Sequence, residues 1–352
     1  MLNDPKNILI IKPSSLGDVV LALPALSALR TSLPDAKISW LIRTDFAPLI
    51  ENHPQLDEII LFDRKFLGKA LHNPRAFAAL VSLVLRLRRA KFDAVIDLQG
   101  LFRTAALGWL SGCANRFGMT AAREGAHIFY TRKVPQEHDT IHLVDYYLKI
   151  VASAGASETA VKFVLPIEPA ATDSARELLG SHGVDPENYA VLVPSSAHGD
   201  KCWPLNRFAD LADRISSKFN LAIVTTGAES ERPVIDKLNT LAHTNIVNLA
   251  GLTSIRQLAA ILKKARLVVS NDTGAGHIAA ALGTPLVMIF GRSNPARVAP
   301  YARPDCLVAV EPHSRGFKAD SSNPRHSIKA VTVDEVYQKV YKQLEGSSVK
   351  TD

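Results

Sequence analysis

Four clusters of residues in this chain have the types and spacing to do chemistry. The first is Pro13-Ser14-Ser15-Leu16-Gly17-Asp18, directly after the apolar run NILIIK. Two hydroxyls, a glycine and a carboxylate there precede a helical pattern, so they stand beside the positive end of a helix dipole. Asp18 reads two ways on spacing alone: as a first-turn acid that caps the helix, or as a general base. The second cluster is Ser270-Asn271-Asp272-Thr273-Gly274-Ala275-Gly276-His277, also after an apolar run. Glycines admit close approach of a ligand to the backbone, a following helix presents free N–H groups, and Thr273 and His277 add side-chain donors. That is the chemistry of a diphosphate site.

The third cluster is Ser195-Ser196-Ala197-His198-Gly199-Asp200-Lys201. Lys201 there reads as a phosphate partner or as an ordinary solvated lysine. The fourth, Thr225-Thr226-Gly227-Ala228-Glu229-Ser230-Glu231, offers two carboxylates for ribose hydroxyls, or plain helix N-terminal acids. A charge bias adds to these. From Leu61 to Lys91 the basic residues Arg64, Lys65, Lys69, Arg75, Arg86, Arg88, Arg89 and Lys91 face one acid, Asp63. This reads as a solvated face or as an anion-recognition surface. There is no GxGxxG, Walker loop, GxSxG elbow, DxD motif or Cys/His metal constellation, so neither a metal nor a cofactor is expected.

Elements of a definite kind must position these residues. Asn7–Lys12, Lys37–Ile42, Glu58–Phe62 and Ala94–Leu98 read as buried strands, with helices over Val19–Ser32 and Ala76–Ala90. The pattern restarts with strands Ala190–Pro194, Ala222–Thr226, Leu267–Ser270 and Leu286–Phe290 and helices Leu205–Phe219 and Ile278–Leu282. Strands alternating with helices imply parallel sheets covered on both faces. The Ala-, Ser-, Glu- and Pro-rich stretch 154–188 separates the blocks, so we expect two doubly wound α/β domains, 1–165 and 166–352, with a cleft between them. The helical pattern Thr332–Leu344 has no assigned docking place and could return to the first domain. Ligands bind such sheets beyond the carboxyl ends of the strands, which is where all four clusters fall.

Composition narrows the function. The 352 residues are 47% hydrophobic and 21% charged, with 41 Lys and Arg against 34 Asp and Glu, a net charge of +7. That modest excess suits an anionic ligand or membrane surface and does not call for nucleic acid. Three scattered cysteines fit a reducing cytoplasm rather than a disulfide framework. The N-terminus does not read as a signal peptide. The apolar stretch Ala76–Leu85 is about half the length of a membrane span.

KPSSLGDVVLALPAL, FDAVIDLQGLFRTAAL and NDTGAGHIAAALGTPLVMIFG, in this order, resemble glycosyltransferase family 9, the lipopolysaccharide heptosyltransferases. TAAREGAHIFYTRK and GDKCWP are more similar to heptosyltransferase I than to II, while the residues before His277 and Gly199 depart from that branch. The resemblance implies a GT-B fold. It also implies inverting, metal-independent transfer of L-glycero-D-manno-heptose from ADP-heptose to Kdo of the lipopolysaccharide inner core, on Kdo-lipid A. By the resemblance Asp18 is the catalytic base. Ser196, Lys201, Glu231 (or Glu229), Asp272, Thr273, Gly274 and His277 bind the donor. Ser14, Ser15, Arg64, Lys65, Lys69, Gln99 and Arg123 bind the acceptor. The expected state is a cytoplasmic monomer, peripheral to the inner membrane. Three alternatives remain at this stage: another family 9 transferase such as heptosyltransferase II, a non-catalytic nucleotide-sugar-binding module, and a dinucleotide oxidoreductase, which the missing GxGxxG disfavours.

Overall fold

The computed structural model describes residues 5–311 and 315–348, with side chains up to Glu345. The chain divides into two compact units, Met1–Pro166 and Ile167–Asp352. The first contains β1 (Asn7–Ile11), α1 (Leu16–Leu21), α2 (Leu23–Ser32), β2 (Lys37–Arg43), β3 (Glu58–Phe62), α3 (Arg64–Leu67), α4 (Pro74–Ala90), β4 (Ala94–Asp97), α5 (Phe102–Leu110), β5 (Arg116–Met119), β6 (Arg132–Val134) and α6 (Leu143–Ser153). Its six strands lie in the order β3-β2-β1-β4-β5-β6, all parallel. After Asn7 the strand NILII is apolar because helices cover both faces; Ile8 to Ile11 are fully buried.

The second unit contains α7 (Pro169–Ser181), β7 (Tyr189–Val193), α8 (Leu205–Phe219), β8 (Ala222–Thr225), α9 (Arg232–Leu241), β9 (Ile246–Asn248), α10 (Ile255–Lys264), β10 (Leu267–Asn271), α11 (Gly274–Ala281), β11 (Leu286–Phe290), α12 (Pro295–Val298), β12 (Leu307–Ala309) and α13 (Val333–Ser348). Its strand order is β12-β11-β10-β7-β8-β9, again parallel. On α8 the buried Phe208, Leu211, Ala212 and Ile215 recur at helical spacing and join the strands in one core. Removing one large side chain from such a core costs roughly 2–5 kcal/mol. The C-terminal helix lies against β10–β12 and α8 of its own unit, which settles a docking place the sequence left open.

Both sheets share one topology. Each starts in the middle, winds outward to one edge, returns and winds to the other, so the direction reverses between β1 and β4 and between β7 and β10. In sheets of this kind ligands bind beyond the carboxyl ends of the two strands at that reversal.

Three expectations need correction. The helix predicted over Val19–Ser32 is two helices parted at Ala22. Pro24 cannot donate a hydrogen bond to Val20 and is tolerated only because it sits in the first turn of α2. The helix predicted from Ile278 begins four residues earlier, at Gly274, because Thr273 caps it: the hydroxyl accepts the Gly276 N–H at 3.3 Å. The short strands β5, β6, β9 and β12 were not expected. At three or four residues each, at or near sheet edges, they bury too little to write an apolar run in the sequence.

Candidate functional site

In the first unit the loops after β1 and β4 meet at the reversal. The Ser14 N–H donates to Gln99 Oε1 at 3.2 Å. Ser15 is the N-cap of α1, and Asp18 Oδ2 accepts from both its N–H and its hydroxyl at 3.0 Å. The capping role read for Asp18 is therefore real. It does not displace the other reading, because the carboxylate also faces Lys12 Nζ at 3.6 Å while staying 30% exposed. Lys12 itself is 3% exposed, with its ammonium 5.6 Å from the centre of the Tyr147 ring on α6. Burial works to lower its pKa, but Asp18, Tyr147 and Asp97 outweigh burial, and the net shift is upward. A buried lysine here is a fixed positive charge under an accessible carboxylate.

Asp97, at the end of β4, is the hub that shapes the neighbouring loop. It accepts from the N–H groups of Gln99 (2.8 Å) and Gly100 (3.1 Å), from Thr104 Oγ1 (2.9 Å) and from Tyr130 OH (2.8 Å). Burial raises its pKa against these four bonds. Gly100 has φ +67°, and a Cβ there would crowd the Met119 sulfur at 3.3 Å, so the tight turn requires glycine. The Arg123 N–H donates to Gly100 O at 2.9 Å, which places Arg123 beside this loop with its side chain exposed. Arg64, Lys65 and Lys69 are exposed too, on α3 and the turn after it. They follow β3, two strands from β1, about 10 Å along the same sheet edge. They do not join the Ser14–Asp18–Gln99 group.

In the second unit the loops after β7 and β10 meet at the equivalent reversal. Lys201 Nζ lies 3.4 Å from Asp272 Oδ2 and 3.2 Å from Asp320 Oδ1. The solvated-lysine reading is excluded, since the side chain is 19% exposed. His277, in the first turn of α11, has Nε2 3.3 Å from Asp272 Oδ1. Burial works to raise the Asp272 pKa, but His277 and Lys201 overcome it and bring the pKa to about 2. For Lys201, burial is outweighed by Asp272 and Asp320, and its pKa rises. The His277 Nδ1 is buried and has no partner among the described residues, as have Ser195 Oγ and Thr226 Oγ1 after β7 and β8.

Asn271 fixes the geometry of this group. It is fully buried, its Oδ1 accepts the Trp203 N–H at 3.0 Å and its Nδ2 donates to Pro194 O at 2.7 Å. The loop bearing Lys201 is thereby tied to the end of β10, one residue before Asp272. Gly276 serves packing rather than ligand approach, because a Cβ there would meet Met288 Cε at 2.8 Å and Ser270 Oγ at 2.9 Å. Thr273, besides capping α11, bonds the Ser270 hydroxyl at 2.9 Å. Ser196 is half-buried in the loop after β7, and Gly274 is the first residue of α11. Glu231 Oε2 accepts the Ala228 N–H at 2.7 Å, while Glu229 is exposed. Among the described residues no group of three or more His, Cys, Asp or Glu could hold a metal ion.

Lys12, Asp97, Asn271 and Asp320 are site residues that sequence reasoning missed. The first three had a signal, a polar side chain ending a strongly apolar strand. Asp320 had none, since it reaches Lys201 from far along the chain.

Residues 80–326 match the profile of glycosyltransferase family 9 (heptosyltransferase). Lipopolysaccharide heptosyltransferase 1 of Pseudomonas aeruginosa is 31% identical over 316 residues, 84% of this chain and 81% of that protein. The lipopolysaccharide core heptosyltransferase OpsX of Haemophilus influenzae is 27% identical over 310 residues, 87% of this chain and 85% of that one. The solved structure of the E. coli heptosyltransferase WaaC with ADP is similar with a TM-score of 0.74 and 25% identity, over 96% of this chain and 99% of that one. Two Rossmann-like units with polar groups at both switch points, superposable on such structures, are a GT-B glycosyltransferase. The chain belongs to glycosyltransferase family 9, the heptosyltransferases, and is a heptosyl-transferring enzyme of lipopolysaccharide core assembly.

Proposed function

We propose that the protein transfers L-glycero-D-manno-heptose from ADP-heptose to Kdo of a Kdo-lipid A acceptor, with inversion and without a divalent metal. The observation that carries this reading is the Lys201–Asp272–His277 group at the N-terminus of α11. It gathers a half-buried cation, an orphaned imidazole nitrogen and the N–H groups of a helix start where a departing diphosphate would need them. Support for the donor comes from WaaC, which is solved with ADP and with ADP-2-deoxy-2-fluoro heptose. Glu231 or Glu229 takes the ribose hydroxyls, and Ser196, Thr273 and Gly274 complete the donor loop.

In this reading Asp18 accepts the proton of the acceptor hydroxyl as that oxygen attacks the anomeric carbon from the face opposite the diphosphate. Lys12 sets a positive charge 3.6 Å from that carboxylate. Ser14, Ser15, Gln99 and Arg123 orient the sugar, and Arg64, Lys65 and Lys69 meet the acceptor's outlying anionic groups. The enzyme works at the cytoplasmic face of the inner membrane, where a lipid-borne acceptor is presented. The test is turnover with ADP-heptose and Kdo-lipid A, with other ADP-sugars, UDP-sugars and heptosylated acceptors as competitors, with and without EDTA. Transfer that persists in EDTA and prefers this pair upholds the reading. A strict divalent-ion requirement refutes the metal-free mechanism, and preference for a heptosylated acceptor reassigns the step.

A further inference from the structure

The solvent-facing side of α4 has the wrong chemistry for water. Asn73 caps this helix by accepting the Arg75 and Ala76 N–H groups, Pro74 occupies its first turn, and Lys91 ends it with φ +50°. Its inner side is ordinary: Ala76, Leu83 and Leu87 are buried against the first sheet. At about 100° per residue the opposite pole runs through Pro74, Ala78, Val81, Leu85 and Arg89, with Phe77, Ser82 and Arg88 on its flanks. Phe77 is 57%, Val81 40% and Leu85 44% exposed, and Leu71, just before the helix, is 91% exposed. A surface helix normally presents charge there. Here the pole is apolar from Ala78 to Leu85; charge enters on the flanks through Arg75 and Arg86 and in the last turn through Arg88 and Arg89, and no acid occurs from Pro74 to Ala90. Arg86 is engaged by Glu58 at 2.7 Å, whereas Arg75 and Arg89 form no ion pair among the described residues.

We propose that this face of α4, with Leu71, rests on the surface of an anionic bilayer. The inference deepens the reading above and rests on its lipid-borne acceptor. An apolar stripe with arginines on its flanks and in its last turn fits an interface of acyl chains under anionic headgroups. A second copy of the same face would bring like charges together, which disfavours self-association as the way to cover it. No helix among the described residues is long and apolar enough to cross a membrane, so contact of this kind is shallow.

The experiment is flotation of the full chain with phosphatidylcholine vesicles, with and without about one-third phosphatidylglycerol. The wild type should bind the anionic vesicles and release them in high salt. The triple variant Phe77→Ser/Val81→Ser/Leu85→Ser should lose roughly tenfold or more in partitioning, and Arg88→Gln/Arg89→Gln should lose the preference for anionic lipid. Unchanged melting temperatures would show that both variants fold. Turnover on detergent-dispersed acceptor should equal that of the wild type in both, so a failure of the proposed reaction is read separately from a failure of docking. Wild-type indifference to phosphatidylglycerol, or undiminished flotation of the triple variant, overturns the proposal. So does a dimer that the triple variant dissolves, which would assign the face to a second copy.

Discussion

The two units place a lysine and an aspartate at the same point of the same topology, yet in opposite order of burial. Beyond β1 the lysine is inside: Lys12 is 3% exposed beneath an Asp18 that is 30% exposed. Beyond β10 the carboxylate is inside: Asp272 is 13% exposed and Lys201 19%, with His277 on the other carboxylate oxygen. A buried cation under an accessible carboxylate offers the solvent side a base. A buried carboxylate holding a lysine and an imidazole offers it hydrogen-bond donors. On the proposed reading one topology serves proton acceptance in the first unit and leaving-group stabilisation in the second, by exchanging which partner lies deeper.

The largest expected effect breaks the first half. Asp18→Asn should lower kcat by about two orders of magnitude or more with donor affinity retained, the scale of a lost general base. Lys12→Met should lower kcat less, and Lys12→Arg should restore part of it. Near wild-type turnover of Asp18→Asn would leave that residue as a helix cap only.

A smaller effect is expected in the second half. Lys201→Met should weaken donor binding roughly tenfold to a hundredfold, as for loss of a charge-assisted hydrogen bond. Isothermal titration with ADP measures it, and unchanged affinity would return Lys201 to a structural role.

The second pair also responds to acid. The Asp272 pKa is brought down to about 2 in the folded protein. A depressed carboxylate contributes stability that is present above its unfolded value near 4 and is lost as pH falls through its folded value. The loss, on the order of 2 kcal/mol, should appear between about pH 4 and pH 2 in denaturant titrations and be absent from Asp272→Asn.

The smallest effect concerns the exposed basics. Neutralising Arg64, Lys65 and Lys69 together, or Arg123 alone, should raise the acceptor KM severalfold, leave the donor KM in place, and fade at high salt because screening acts over about 8–10 Å. An unchanged acceptor KM would make these charges a solvated surface.

The sequence by itself determined the parallel α/β class, the central strands and the loops that matter, because buried strands must be apolar and helix starts need caps and glycines. Asp18, Lys201, Asp272 and His277 were legible as candidates for the same reason: polar residues that follow an apolar strand stand at a sheet edge. The tertiary structure decided how they combine. Lys12 looked like the end of a strand until the fold buried it against Asp18 and Tyr147. Asp320 reached Lys201, and Asn271 locked two loops, through contacts between residues far apart in the chain. Local sequence carries propensity and pattern, but which of two charges lies deeper depends on neighbours that only the folded chain brings within a few ångströms.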